Sequence, residues 1–402
     1  MKILFLTSRF PFPPFRGDKL KIYNLIRELS GRHEVTLLSF IQNSGEEGFR
    51  SEMEKLCARV ETVRLPLARS LLQCGVGLPG RTPFQIEYFR SGAMAGAVSR
   101  LIAESTPDVI HTHLLRMAPY TATRGEIPRI LDLTDAVGIY LRRFAESTHN
   151  PVKRCVLREE YRRVRSFERV LEQFHCCLVC STTDREALHD TAPGARIEIL
   201  ENGIDLASFT SNAVTQPDPR TIVCTGNMSY FPNADGVKYF VGEILPLVRR
   251  EIPDVRFLIV GQNPPRAVRS LGGNGITVTG TVPDIREYYL RAAVAVSPIR
   301  FGSGTLNKVL EPMALGIPVV APTIGIEGLP FNNGEHLLIG RNPDEFAAHV
   351  VRLIQNPDLG RRIAARARDL VRGNYSWKRI GEKLEGFYAS IVARHPSPES
   401  GL

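Results

Sequence analysis

The densest group of residues that could do chemistry lies at residues 297–311, where the chain reads SPIRFGSGTLNKVLE. Gly302 and Gly304 would let backbone amides approach an anion closely, and a following helix would direct its positive end at the same place. Arg300 and Lys308 add a permanent positive charge on either side. This pattern favours a loop that binds a diphosphate. A glycine-rich turn between two solvated basic residues is the alternative.

Glu311 interrupts an otherwise apolar run and should therefore have a polar partner, because an unpaired buried carboxylate is costly. One helical turn beyond a phosphate loop, it is well placed to accept hydrogen bonds from two ribose hydroxyls. An ion pair with Lys308, three residues earlier, is the alternative, and both can hold at once. Pro312 predicts that the helix begins close to Glu311, since a proline beyond the first turn costs about 3 kcal/mol.

A second group of candidate residues lies in the first half of the chain. His111 and His113 end a predicted buried strand, and alternation puts their side chains on the same side if the strand continues. Each could equally be a structural histidine at a strand end, with its ring nitrogens hydrogen-bonded within the protein. Asp135 follows the next strand, where it could bind an acceptor hydroxyl or cap a helix.

Short apolar runs alternate with longer amphipathic segments, a pattern typical of parallel sheets with helical crossovers. We therefore predict two doubly wound α/β domains in tandem, with ligands at the carboxyl ends of the strands. The expected strands lie at residues 2–7, 34–40, 60–65, 108–112, 130–134 and 176–181, and then at 221–225, 255–260, 276–279, 293–297, 319–321 and 337–339.

The polar, proline-containing segment 207–220 lacks periodicity and is the best candidate for a linker. It would separate an N-terminal domain (1–206) from a C-terminal domain (221–375). A final amphipathic helix and tail (376–402) are expected to return to the N-terminal domain.

The charge distribution distinguishes the two halves of the chain. The formal net charge is +9, and residues 1–169 hold 27 basic and 18 acidic residues, so they carry the whole excess. A basic first half suits an acceptor that carries phosphate, or docking on an anionic membrane. The arginine-rich helix expected at 152–174 is either a solvated face or part of such a surface. Nucleic-acid binding is disfavoured because the basic residues are dispersed and aromatic residues do not interleave with them.

Cysteine usage and hydropathy bear on the compartment. Seven cysteines without a regular framework favour reduced thiols in the cytosol. No apolar run approaches the roughly 18 residues of a membrane span, and the apolar start of the chain is expected to be a strand. We therefore expect a cytoplasmic protein, with peripheral docking on the inner face of the membrane as a hypothesis.

Two kinds of site are disfavoured by the motifs. No DxD motif lies on an obvious loop and no His, Cys and Asp cluster has metal-ligand spacing, so we expect no metal and no cofactor. The segment from Gly226 onward lacks the GxGxxG of dinucleotide oxidoreductases.

The segment from Arg300 to Glu311, followed by ALGIPVV at 314–320, resembles the donor-nucleotide signature of the retaining glycosyltransferases of family 4 (group 1 glycosyl transferases). Further matches follow in the expected order: GDK at 17–19, ENGID at 201–205, GNMSYFPN at 226–233 and GTVPD at 280–284. Within the family the chain is similar to a bacterial subgroup, including PEP-CTERM-associated sugar transferases, that accompanies exopolysaccharide assembly. The resemblance implies the GT-B fold, in which two Rossmann-like domains face each other across a cleft. It also implies that the N-terminal domain binds the acceptor and the C-terminal domain binds the nucleotide sugar.

The family also implies an activity. A sugar would move from a nucleoside diphosphate sugar of the UDP or GDP type to a hydroxyl of a saccharide or lipid-linked acceptor, with retention of anomeric configuration and without a metal. The departing phosphate could itself take the proton of the acceptor. The residues implied in catalysis are His113, Arg300, Lys308 and Glu311. Those implied in donor binding are Gly17, Gly226, Asn227, Val282, Gly302, Ser303, Gly304, Thr305, Leu306, Lys308 and Glu311, with His111 and Asp135 as weaker acceptor candidates.

Two departures from the family pattern leave alternatives open. Ser303 stands where the family has the first of two glutamates, which removes a carboxylate expected near the donor sugar. Asn227 and Tyr230 stand where many members have Arg and Lys. The alternatives are a nucleotide-sugar epimerase of the same architecture, which would act on the donor alone, and a non-catalytic nucleotide-sugar-binding subunit.

Overall fold

The computed structural model describes residues 1–15, 17–148, 150–209, 218–301 and 307–395. The chain divides into two compact units. The first unit is Met1–Glu201 together with the described residues from Trp377 onward, and the second is Asn202–Ser376.

The first unit is built on a seven-stranded parallel sheet. Its order is β3-β2-β1-β4-β5-β6-β7, so the direction of strand succession reverses between β1 and β4, as in doubly wound folds. The strands are β1 (Lys2–Thr7), β2 (Glu34–Ile41), β3 (Arg59–Arg64), β4 (Val109–His113), β5 (Arg129–Thr134), β6 (Cys176–Val179) and β7 (Ile197–Ile199).

Helices connect these strands. They are α1 (Gly17–Ser30), α2 (Ser44–Glu47), α3 (Arg50–Glu54), α4 (Leu67–Val76), α5 (Phe84–Tyr88), α6 (Gly92–Ser105), α7 (Val137–Ser147), α8 (Pro151–Phe167) and α9 (Thr182–His189). Single 3₁₀ segments follow β4 (Leu115–Tyr120) and α8 (Glu168–Gln173). Strands β4 and β5 are buried along their whole length, including their polar residues His111, His113 and Asp132.

The second unit repeats this architecture with six parallel strands in the order β10-β9-β8-β11-β12-β13. The strands are β8 (Asp218–Thr225), β9 (Arg256–Val260), β10 (Ile276–Gly280), β11 (Ala292–Val296), β12 (Val319–Ala321) and β13 (Leu338–Ile339). The helices are α10 (Phe231–Tyr239), α11 (Leu245–Glu251), α12 (Arg266–Arg269), α13 (Arg286–Arg291), α14 (Asn307–Leu315), α15 (Pro343–Gln355) and α16 (Pro357–Asn374). A π-helical turn (Phe240–Ile244) precedes α11, and a 3₁₀ turn (Thr323–Gly325) follows β12.

The last helix, α17 (Trp377–Val392), packs on the sheet of the first unit. Its Tyr388 hydroxyl lies 2.8 Å from Nδ1 of His111, and the ring of His111 stacks on Phe5 with the ring centroids 4.6 Å apart. His111 is fully buried by these contacts. The expected acceptor contact at His111 is therefore wrong, because this histidine anchors α17 to β4 instead.

The predicted α/β architecture with two doubly wound sheets is confirmed, and every expected strand is present. The missed strand is β7, whose three residues are only half-buried at the edge of the sheet. Strand β8 begins at Asp218, inside the segment expected to be a linker. This start could not be predicted because the first three residues of the strand, DPR, form no apolar run and are at least partly exposed. Residues 210–217 of that segment lie outside the described residues. Within the described ranges, no helix is both long and apolar enough to cross a membrane.

A fully buried ion pair fastens α1 to the centre of the first sheet. Nζ of Lys21 donates to Oδ1 of Asp132 at 2.9 Å and to the Leu200 carbonyl at 3.3 Å. Although burial disfavours the charged form, attraction to Asp132 raises the pKa of Lys21. Burial acts against ionisation of Asp132 too, yet Lys21 holds the pKa of this carboxyl well below its usual range. Both groups are therefore charged in the folded protein.

Removing one member of this pair should leave an uncompensated buried charge. We expect Lys21→Met to lower the free energy of unfolding by about 3–5 kcal/mol. The double variant Lys21→Met/Asp132→Asn should recover most of this loss, because the amide oxygen can still accept the Thr134 amide proton that Asp132 accepts at 2.9 Å. Urea denaturation followed by circular dichroism measures both. A double variant no more stable than the single one would contradict this account.

Candidate functional site

Two glycines bring the carboxyl ends of β8 and β9 into direct contact. Gly226 and Gly261 have φ of +148° and +145°, a region that side chains rarely adopt. A Cβ added to Gly261 would lie 1.8 Å from the carbonyl oxygen of Gly226. The two backbones thus meet where only glycine fits. This leaves the loop after β8 to run along the edge of the sheet at which doubly wound folds bind ligands.

The loop between β8 and α10 is ordered by two asparagines. The side-chain oxygen of Asn227 accepts hydrogen bonds from the amide and the hydroxyl of Ser229, at 3.0 and 2.7 Å. Asn233 donates its side-chain amide to the Asn227 carbonyl at 2.9 Å and accepts a hydrogen bond from Lys308. Asn233 therefore ties this loop to α14. No pattern in the sequence points to this contact, since Asn233 and Lys308 are 75 positions apart.

Glu311 has a polar partner, but the partner is a tyrosine rather than Lys308. The hydroxyl of Tyr289 donates to Oε2 of Glu311 at 2.9 Å and lies 2.5 Å from the Thr225 hydroxyl, which can donate to it in turn. Burial raises the pKa of Glu311, and the Tyr289 hydrogen bond and Lys308 oppose this shift. Oε1 of Glu311 makes no hydrogen bond to another residue of the described ranges.

Lys308 lies three residues before Glu311 on α14 and is half-buried. Burial lowers the pKa of Lys308, while Cys224 and Glu311 act in the opposite sense. Helix α14 begins at Asn307, so Pro312 lies in its second turn. The expectation that this helix begins close to Glu311 is wrong. Because proline has no amide proton, the carbonyl of Lys308, four residues earlier, lacks its usual helical donor.

Arg300 is already paired. Its guanidinium donates two hydrogen bonds to Asp235 of α10, at 2.8 and 2.7 Å, and lies over the Tyr239 ring. Half of this side chain remains exposed, so the expected contact of Arg300 with a diphosphate stays a prediction. The contacts of Arg300 fasten α10 to the segment after β11. The neighbouring donor-binding candidates Gly302, Ser303, Gly304, Thr305 and Leu306 lie outside the described residues and stay predictions.

The loop expected to contact the base follows β10. Val282 is half-buried and packs beside the hydrophobic cluster that contains Tyr289. In the same loop, Asp284 pairs with Arg286 at 2.6 Å, and Arg286 also donates to the Ser208 carbonyl. In the first unit, Gly17 is exposed at the start of α1, next to an ion pair in which Arg9 donates to Asp18 at 2.5 Å.

In the first unit, His113 lies at the carboxyl end of β4 and is almost entirely buried. Its Nε2 is 3.3 Å from the Thr134 hydroxyl, at the end of the adjacent strand β5. Burial lowers the pKa of His113 to about 3, so its imidazole is neutral at physiological pH. Leu114 and Thr134 have φ of +72° and +66°, so backbone strain is concentrated at the ends of these two strands.

Asp135 follows Thr134 and does not cap α7. The N-cap of α7 is Ala136, whose amide donates to Asp184 at 3.0 Å. Oδ1 of Asp135 is buried and has no hydrogen-bond partner within the described part of the chain. Burial, reinforced by the Asp184 carboxylate, raises the pKa of Asp135 to about 8. Asp135 therefore stays a candidate for contact with an acceptor hydroxyl.

The described residues contain no group of three or more His, Cys, Asp or Glu side chains able to hold a metal ion.

Two family models match the chain on either side of residues 209–218. Residues 22–208 match the model described as Glycosyltransferase Family 4, and residues 219–356 match the model described as Glycosyl transferases group 1. Together the two models span most of the chain. It belongs to the family 4 and group 1 glycosyltransferases. The resemblance drawn from the sequence motifs is thereby confirmed.

Curated relatives of this glycosyltransferase match at low identity. An uncharacterized 44.6 kDa protein in the cps region of Klebsiella pneumoniae is 26% identical over 168 residues, 40% of this chain and 43% of that protein. A GDP-mannose-dependent alpha-(1-6)-phosphatidylinositol monomannoside mannosyltransferase of Mycobacterium tuberculosis is 24% identical over 220 residues, 48% of this chain and 56% of that protein. The chain thus matches about half the length of these relatives. TuaC of Bacillus subtilis, named for teichuronic acid biosynthesis, is 24% identical over 84% of this chain and 85% of its own.

Solved structures share the fold of this glycosyltransferase along nearly its whole length. Sucrose-phosphate synthase from Thermosynechococcus elongatus superposes with a TM-score of 0.71 at 17% identity, covering 98% of this chain and 100% of that one. HepE of Anabaena in complex with UDP gives a TM-score of 0.69 at 14% identity, covering 97% and 100%. The expected GT-B class, with two Rossmann-like domains, is confirmed.

The contact between Gly226 and Gly261 predicts a steep cost for a single methyl group. We expect Gly261→Ala to lower the free energy of unfolding by about 3 kcal/mol or more, because the strand ends must separate and φ is positive. Gly373→Ala is the matched control, since a Cβ there meets nothing within 4 Å on a regular helix of the same unit. The control should change stability by no more than about 1 kcal/mol. Chemical denaturation measures both, and equal midpoints for the two variants would refute the proposed contact.

Proposed function

We propose that this glycosyltransferase moves a sugar from a nucleoside diphosphate sugar to a hydroxyl of a saccharide or lipid-linked acceptor in bacterial polysaccharide or glycoconjugate synthesis. The observation that carries the proposal is the Glu311 carboxylate. Tyr289 holds one of its oxygens at 2.9 Å, and the other has no partner among the described residues. A half-buried carboxylate with one fixed oxygen and one available oxygen suits two neighbouring ribose hydroxyls. The names of the Klebsiella and Bacillus relatives support the biosynthetic setting.

The second unit would hold the donor. In this proposal Glu311 accepts hydrogen bonds from the ribose, Lys308 faces the diphosphate, and the loop around Val282 contacts the base. Gly226 and Asn227 line the same edge of the sheet. HepE was solved with UDP, and the mycobacterial relative is named for GDP-mannose, so the proposal extends to both uridine and guanosine donors.

The proposed reaction proceeds with retention of anomeric configuration. The bond from the anomeric carbon to the leaving phosphate oxygen breaks, and the acceptor oxygen bonds to that carbon on the same face. The acceptor proton passes to the departing phosphate, so the protein need not supply a strong base. Lys308 and the amino-terminal end of α14 would offset the negative charge that develops on the leaving group. The part played by His113, a neutral imidazole, stays a prediction of the family resemblance.

Donor binding should depend on the carboxylate more than on the residue that holds it. Screening nucleotide sugars by thermal shift identifies the donor, and calorimetry then measures its affinity for each variant. Glu311→Gln should weaken binding about tenfold to a hundredfold, because two hydrogen bonds to a charged acceptor are lost or weakened. Tyr289→Phe keeps the carboxylate but removes the hydrogen bond that fixes its orientation. We therefore expect donor affinity to fall about threefold to tenfold. The control Glu251→Gln alters an exposed glutamate of α11 and should change nothing.

The same assay distinguishes the competing functions. Unchanged donor affinity in Glu311→Gln would show that Glu311 is not part of the donor site. Turnover of the donor with no acceptor present would favour an epimerase. Binding without transfer to any acceptor of a broad panel would favour a non-catalytic subunit.

Sugar transfer should also proceed without a divalent metal, because Lys308 and the helix end supply the positive charge that a metal would otherwise provide. We expect the initial rate in excess EDTA to equal the rate in untreated enzyme. A rate that falls with EDTA and returns on adding Mg²⁺ or Mn²⁺ would contradict this part of the proposal.

A further inference from the structure

Helix α4 has its apolar side chains on the outside. Leu67, Leu71, Leu72 and Val76 are each more than half exposed, although α4 is part of a folded unit with a large core. At about 100° per residue, these four side chains occupy one half of the helix circumference, and only Ala68 and Gly75 lie between them. The half that faces the protein carries Ser70, which is fully buried. This arrangement is the reverse of an ordinary surface helix.

Helix α8 also carries exposed apolar side chains. Val152 and Val156, each more than half exposed, precede Glu160 and Arg163 on the same face of this helix. Further along that face, Arg163 donates to the carbonyls of Gly77 and Leu78 just after α4, at 3.1 and 2.7 Å. The carboxylate of Glu160 accepts hydrogen bonds from the amides of Phe84 and Gln85, at 2.7 and 3.1 Å.

These bonds fasten the chain after α4 to the carboxyl-terminal half of α8, so the two helices are held together. The apolar strip, defined here as Leu67, Leu71, Leu72 and Val76, therefore lies on a helix whose following chain is anchored in the first unit. An exposed apolar strip of this extent on a folded unit indicates an interaction site.

The charge around the strip is positive. Residues 64–81 include three arginines, Arg64, Arg69 and Arg81, and no acidic residue. All three side chains are exposed. Leucines on one side of a helix with arginines along the edge are the combination that favours the interface of a bilayer rich in anionic lipid. Long arginine side chains can reach lipid phosphates while their methylene groups cover apolar surface.

We propose that the apolar strip inserts into the headgroup region of an anionic bilayer, with Arg69 and Arg81 on the lipid phosphates. The occupant is thus a lipid surface, not a protein. The proposal does not depend on the sugar that the enzyme transfers, since no residue of the strip or its arginines belongs to the donor site. It locates the contact on α4, whereas charge distribution alone points to the arginines of α8.

Flotation of the full chain with two kinds of vesicle tests this proposal. Wild-type protein should bind vesicles of phosphatidylcholine with phosphatidylglycerol, bind pure phosphatidylcholine much less, and detach at high salt. Leu71→Ser/Leu72→Ser should lower the partition coefficient about tenfold or more. Leu71→Phe/Leu72→Phe, which keeps the surface apolar, should retain binding. Unchanged circular dichroism and thermal unfolding verify the fold of each variant.

The arginines are tested separately. Arg69→Gln/Arg81→Gln should lower the partition coefficient about fivefold for each charge removed. The matched control Arg266→Gln/Arg269→Gln removes two exposed charges from α12 in the second unit and should bind as the wild type does.

Three results would overturn the proposal: no binding to either vesicle, equal binding by the Leu71→Ser/Leu72→Ser variant, or equal losses for the two arginine double variants. Analytical ultracentrifugation without lipid adds a fourth. A wild-type dimer that the serine variant dissociates would make this surface a contact between copies of the chain instead.

Discussion

The hydrogen bond from Tyr289 to Glu311 is the interaction on which the candidate donor site depends. It joins α13 to α14, and through Thr225 it reaches the end of β8, so one buried tyrosine links three elements around a single carboxylate. A carboxylate within an apolar helix would otherwise have to find another partner or become neutral. Because one oxygen is fixed from inside the protein, the other oxygen is the one that the proposed ribose contact would use.

The first unit uses buried polar groups in a comparable way. Lys21 and Asp132 form an ion pair under the carboxyl end of the sheet, and His111 joins β4 to α17. His113, two residues beyond His111, is bonded instead to the end of the neighbouring strand. The two histidines of β4 therefore differ in their contacts, because His111 lies inside the core and His113 lies at the end of the strand, where the loops begin. The strained backbone of Leu114 and Thr134 lies at this same edge.

Most strands of both sheets could be predicted from the sequence because they are short segments rich in apolar residues, and the central strands β1, β4 and β5 are buried almost throughout. The partners within the site could not. Arg300 and Asp235 are 65 residues apart, and Tyr289 and Glu311 are 22 apart, so only the folded sheet brings each pair together. The three residues of β7 are too few to form a pattern. Nothing in the sequence distinguishes the apolar residues of α4 from core residues, and their exposure is visible only once the structure shows which half of the helix is buried.

The two units differ in how the basic residues near their candidate surfaces are paired. In the second unit, Arg300 pairs with Asp235 and Arg286 with Asp284, and Lys308 donates to the side-chain oxygen of Asn233. The site can thus be built without a surplus of positive charge. In the first unit, by contrast, exposed arginines border an exposed apolar strip on a segment that has no acidic residue. Such charge contributes little to folding, because solvent screens it. In the proposed contact, its energetic effect would be realised when an anionic surface approaches.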